Sequence, residues 1–145
     1  MRLLVCLALA FGVVSCTPLY GGKPERLTNL GTNINSIAWA PDGKSIVFGM
    51  YLDGNVTLVR LDLASRRVTD LGVPKTLAVS VAANVPSAAF VITDPHSAIF
   101  SIDLANPGAG PQPVFPSTGV DLLPAVAPDG TQIAFVSDRS AVVGL

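Results

Sequence analysis

The chain has 145 residues, half of them hydrophobic and only 13% charged, with a formal net charge of -1. That balance supplies no basic field for nucleic acid and no acidic tail, and the length allows one domain with one modest core. Thirteen glycines and twelve prolines in so weakly charged a chain suit a β-rich, turn-rich fold better than a helical bundle.

The N-terminus reads as an address. Met1-Arg2 brings one positive charge, and Leu3 to Val14 form an almost unbroken apolar run. The run is too short to span a bilayer comfortably and has the length of a signal-peptide core. It ends in Val13-Val14-Ser15-Cys16, which resembles the bacterial lipobox. The resemblance implies cleavage before Cys16, a diacylglycerol on its thiol, and a chain anchored to a membrane by acyl groups rather than spanning it. Thr17 stands where an Asp often retains lipoproteins at the inner membrane of enteric bacteria, so outer-membrane sorting is implied if the source is Gram-negative. The other reading is an ordinary secretory signal, although Val13 occupies a place where small-x-small cleavage prefers Ala. Residues 1–15 are therefore expected to be a lipoprotein signal peptide and 16–24 a lipid-anchored tether, short enough to hold the domain near the bilayer. Cys6 lies in the discarded part under either reading. With both cysteines in the first sixteen residues, no disulfide framework or cysteine metal site is available to the remainder.

Past the tether, one phrase is written twice: Trp39-Ala40-Pro41-Asp42-Gly43-Lys44-Ser45-Ile46-Val47-Phe48 and Val126-Ala127-Pro128-Asp129-Gly130-Thr131-Gln132-Ile133-Ala134-Phe135. Pro sets φ for a turn, Asp bonds the turn's own backbone, and Gly accepts φ > 0. Between alternating apolar runs this marks a tight hairpin, so Pro41, Asp42, Gly43, Pro128, Asp129 and Gly130 are expected as turn residues. In chain order, 35–39 and 45–50 flank the first turn as strands. Asp53-Gly54-Asn55 signals a second turn, 56–62 alternates again, and a polar connection leads to a fourth short strand over 67–71. Four strands joined by tight turns in about 40 residues make one blade-sized unit. A second unit is legible although the phrase is altered: Asn84 and Phe90 fall 42 positions after Asp42 and Phe48. There Asn84-Val85-Pro86 replaces Pro-Asp-Gly, so that turn must be built differently. The Ala-rich stretch 76–89 reads as strand, because Val79, Val81 and Val85 are β-branched and Pro86 would break a helix. A third unit opens with Asp129 and Phe135, 45 positions further on.

These units resemble the Pro-Asp-Gly β-propeller repeats of the TolB family, with residues 127–139 as the nearest match to the family phrase. The resemblance covers about residues 26–139 and implies an all-β fold of four-stranded antiparallel blades. It places a partial TolB-like propeller at 25–145, with blades at about 31–72, 73–116 and a truncated 117–145. Closed propellers typically have 4–8 blades, so about two and a half blades imply a fragment of a longer protein, a truncated reading frame, or a propeller completed by another chain. The segment 25–30 is a candidate outer strand of an earlier blade.

The chemistry available is sparse. His96 is the only histidine and sits in a turn, where solvation is its ordinary fate. Asp42, Asp53, Asp94, Asp129 and Asp138 all fall at turns, where capping competes with calcium binding, and no Asp-x-Asp-x-Asp-Gly phrase supports calcium. Arg66-Arg67 falls short of a nucleic-acid footprint, and Trp39 is expected between blades as core. No catalytic, cofactor or metal residue is assigned; Cys16 is the one modification site. The expected function is a lipid-anchored, non-catalytic envelope module that binds another envelope protein. The alternatives are the N-terminal propeller of a prolyl-oligopeptidase-like serine hydrolase, and a truncated chain without function.

Overall fold

The computed structural model describes residues 4–9, 13–18, 24–52, 54–93, 96–116 and 119–138, with side chains from residue 24 onward. Asp53, Asp94, Gly21-Gly22 and Arg139 lie outside the described residues. Strands β1 (Leu4–Leu9) and β2 (Val13–Pro18) form an antiparallel hairpin with Cys6 opposite Cys16, and β3 (Glu25–Arg26) pairs onto β2 beside Cys16.

The repeated units then form three antiparallel sheets in strict chain order. The first runs β4 (Ile34–Trp39), β5 (Ser45–Leu52), β6 (Asn55–Asp62) and β7 (Val68–Pro74). The second runs β8 (Thr76–Val81), β9 (Ser87–Thr93), β10 (Ser97–Asp103) and the two-residue β11 (Gln112–Pro113). The third is the hairpin β12 (Asp121–Val126) and β13 (Ile133–Ser137). The stretch 76–89 is strand, turn and strand, as its β-branched residues and Pro86 require. The fourth strand of the first sheet is longer than the expected 67–71 and runs to Pro74. Gly72, at φ +71, and a register shift between Leu58 and Val59 let pairing continue past the expected end.

The sheets stack face to face, and strand alternation decides which side chain goes to which layer. In β5, Ile46, Phe48 and Met50 point away from the second sheet while Val47 points toward it, and all four are buried. In β9, Ala88 and Phe90 point back to the first sheet while Ala89 and Val91 point to the third. Cross-strand partners agree: Phe48 pairs with Val59 in one layer, and Ile99 pairs with Val91 in another. The Phe of each phrase thus faces the preceding unit. Phe48 lies under Leu27 and Leu30, Phe90 packs with Val47 and Leu58 of the first sheet, and Phe135 stacks on Phe115 with ring centroids 4.7 Å apart. This is blade-on-blade packing of an open, partial β-propeller.

Trp39, expected between blades as core, is half-buried in the layer of Ile46 and Phe48, on the face of the first blade that carries Leu27 and Leu30 and is turned away from the second blade. The reason is parity: Ala38 in β4 and Ala40 just past its end take the inward positions, which leaves Trp39 between them on the opposite side.

The first strands of successive blades are joined through serine hydroxyls. A bulge at Ser36 (φ +47) turns its Oγ toward β8, where it accepts the Val79 N–H at 2.9 Å. Ser80 Oγ does the same for the Val126 N–H of β12, also at 2.9 Å. Leu123, the counterpart of Ser36 in the third blade, repeats the bulge at φ +52.

Candidate functional site

Three loops gather along one rim of the stacked blades, each joining the first two strands of its blade. All are closed by the same backbone bond. The N–H of Ala40 donates to Ser45 O (3.0 Å), that of Ala82 to Ser87 O (2.9 Å), and that of Ala127 to Gln132 O (2.9 Å). In the two Pro-Asp-Gly loops a second bond tightens the turn, from Gly43 N–H to Ala40 O (3.0 Å) and from Gly130 N–H to Ala127 O (2.9 Å). Both glycines take positive φ, +60 and +76, a region that costs other residues strain.

The carboxylates sit inside these turns. Asp42 Oδ1 accepts the N–H groups of Lys44 (2.8 Å) and Ser45 (3.0 Å), and its Oδ2 meets Arg60 Nη2 at 2.5 Å. Partial burial pushes the Asp42 carboxyl up, but the Lys44 N–H, the Ser45 hydroxyl and N–H, and the Arg60 charge outweigh it. The net result lies below the ordinary 3.8. Asp129 Oδ1 accepts the N–H (3.0 Å) and hydroxyl (2.9 Å) of Thr131, which lower its pKa in the same way. Asp62 is lowered chiefly by the Ser65 N–H and hydroxyl on its Oδ1, both at 2.7 Å. A carboxylate held by amide donors in its own turn is a poor general base, because its proton affinity has been lowered rather than raised.

Arg60 is the residue that sequence reading passed over. It lies in β6 among apolar neighbours, donates from Nε to Ser45 Oγ (2.8 Å), and reaches Leu104 O of the second blade from Nη1 (3.4 Å). Between Val59 and Leu61 it is the one basic residue of β6.

Grooves open beside these loops. One, of about 450 Å³, runs between β4 and β8 and is lined by Trp39, Pro41, Gly43, Val79, Val81 and Ala83 among others. The second, of about 530 Å³, lies between the first two blades on the outer side and includes Arg60, Asp62, Arg67, Thr69 and Leu104. His96 is exposed in the connection before β10 and lines neither groove. Among the described residues, no three His, Cys, Asp or Glu side chains stand together as a metal site. No helix there is long and apolar enough to cross a membrane. The grooves therefore offer shape, apolar surface and hydrogen-bonding groups, which is the equipment of a binding surface.

No family model matches the chain. It is 32% identical over 121 residues to a TolB homologue of Chlorobium luteolum and 29% identical over 126 residues to that of Chlorobium chlorochromatii. Each alignment covers 82% of this chain but 27% of the relative, so the chain spans about a quarter of those proteins' length. Among solved structures, TolB from Acinetobacter baumannii superposes with a TM-score of 0.79 at 20% identity, over 97% of this chain and 37% of that one. A prolyl endopeptidase superposes less closely, with a TM-score of 0.64 at 13% identity, over 86% of this chain and 22% of that one.

Proposed function

We propose, from the premise that this chain carries TolB-like β-propeller blades, that it is a lipid-anchored envelope protein whose blades bind another envelope protein without catalysis. The observation that carries the reading is the joint likeness to TolB, in sequence over 82% of the chain and in fold over 97% of it. The groove between β4 and β8 is the contact surface this reading favours. Its walls at Ala38, Pro41, Val79 and Ala83 join apolar surface to the first turn, a concave face that a partner chain can occupy. Lipid attachment at Cys16 follows from the lipobox-like Val13-Val14-Ser15-Cys16 and fits a periplasm-facing location. On this reading β1 and the first half of β2 belong to the precursor, and the mature chain begins inside β2.

Two experiments test the two halves separately. A photo-crosslinking residue at Ala83, in envelopes of the source organism, is expected to give a discrete protein adduct, and the same probe at Thr69 is not. Equal labelling at the two positions, or none, contradicts the groove. For the anchor, acyl-analogue labelling and mass spectrometry of the mature N-terminus are expected to show a lipidated Cys16, abolished in Cys16→Ala. An unmodified N-terminus elsewhere contradicts it.

The second reading, a propeller serving a prolyl-oligopeptidase-like hydrolase, draws on the prolyl endopeptidase superposition. It predicts a Gly-x-Ser-x-Gly coding phrase downstream of residue 145 in the genome. Further Pro-Asp-Gly units and then a stop favour the binding module instead.

A further inference from the structure

The altered turn of the second blade keeps the frame of the other two. Ala83, Asn84 and Val85 stand where Pro41, Asp42 and Gly43 stand in the first blade, and the closing bond from Ala82 to Ser87 is retained. Val85 replaces the glycine, and it does not adopt the positive φ of Gly43 and Gly130. The turn is consequently rebuilt. Ser87 N–H donates to Val85 O at 2.8 Å, and the Asn84 N–H donates to Pro128 O of the third blade at 2.8 Å.

Val85 also reaches the third turn. A Cβ added to Gly130 would stand 2.5 Å from Val85 Cγ2 and 3.8 Å from Ala82 Cβ, whereas a Cβ on Gly43 would meet nothing within 4 Å. On the other side, Pro86 O accepts the Leu104 N–H at 2.6 Å, and Leu104 O receives the Arg60 guanidinium that also holds Asp42. Hydrogen bonds therefore run from the first turn (Asp42, Arg60), through Leu104 and Pro86, to Asn84 and the third turn at Pro128.

We propose that the Ala83-Asn84-Val85-Pro86 turn is a clasp: it surrenders the Pro-Asp-Gly conformation in order to lock its two neighbours into one rigid rim. Loss of the phrase in the middle blade is then an adaptation of the rim rather than decay. Gly130 is required for two reasons, its backbone conformation and the room it leaves for Val85; Gly43 is required for the first alone.

Urea unfolding of the full chain tests this with Gly43→Ala, Gly130→Ala, Val85→Ala and the double variant Gly130→Ala/Val85→Ala. Gly43→Ala sets the cost of backbone strain. Gly130→Ala is expected to raise the unfolding constant about tenfold more than Gly43→Ala does, and Val85→Ala in that background to recover about tenfold, as coupled neighbours do. Equal effects of the two glycine variants, or additivity of Gly130→Ala with Val85→Ala, overturn the clasp. Where Gly130→Ala does not fold, a folded double variant supports the proposal, and a double variant that also fails while Gly43→Ala folds overturns it. Hydrogen exchange adds an independent readout: the Asn84 amide is expected to be protected, and an Asn84 amide exchanging at the free-peptide rate contradicts the bond to Pro128.

Discussion

Replacing Phe90 by Ala probes the stacking of blades most sharply. The side chain is fully buried and packs in one layer with Val47, Leu58 and Val73 of the first blade and Ile102 of its own. Truncating such a Phe removes its transfer free energy and leaves a cavity that rigid strands on both sides cannot close, which typically costs about 3–5 kcal/mol. Domains have only about 5–15 kcal/mol of stability in total, so Phe90→Ala should move most of the chain to the unfolded side in mild urea. Phe135 is the internal comparison. It occupies the same place in its phrase and also faces the preceding blade, but it is 37% exposed and gains chiefly from stacking on Phe115. That contact is worth about 0.5–1.5 kcal/mol beyond its buried area, so Phe135→Ala should cost well under half as much. Equilibrium urea denaturation followed by far-UV circular dichroism reads both. Equal costs would refute the reasoning, because they would mean that the layer around Phe90 does not join the blades.

Three further outcomes follow from the same geometry. Ser36→Ala strands the Val79 N–H that its Oγ accepts at 2.9 Å, so it should cost about 1–3 kcal/mol and speed exchange of that amide while distant amides keep their rates. Asp42→Asn weakens the pairing with Arg60; both partners are about one-third exposed, so solvent screening holds the loss near 1 kcal/mol, measurable as a shift in the denaturation midpoint. Stability should also fall in acid. The folded-state pKa of Asp42 is depressed, so its contribution is complete above the ordinary value of 3.8 and is lost as pH drops through the lowered folded value. Asp42→Asn should flatten that part of a pH-denaturation profile, and an unchanged profile would count against the carboxylate's role.

How far the residues spoke for themselves varies by level. Strand positions and blade period were legible because the signals are local: alternation in 35–39 and 56–62, the glycine of each Pro-Asp-Gly, and the 42-residue return of Phe48 at Phe90. What depends on stacking was not. Arg60 reads as one member of an alternating strand until the second blade brings Leu104 O to its guanidinium. The place of Trp39 before a tight turn does not say which face of the strand it takes, and stacking puts it in the layer of Ile46 and Phe48. The bulges at Ser36 and Leu123 carry no glycine to announce their positive φ. Asn84-Val85-Pro86 looks like a worn copy in one dimension, and its contacts with Pro128 and Gly130 emerge only when three turns share a rim.

The central claim is that each phrase sends its Phe into the preceding blade, so that the repeats build a stacked TolB-like propeller wall. Nuclear Overhauser contacts from the Phe90 ring, in a methyl-labelled sample, test it directly. The account predicts contacts to the methyl groups of Val47, Leu58 and Val73, three residues of the blade before. A Phe90 ring showing contacts only to methyl groups within 76–113 would contradict it.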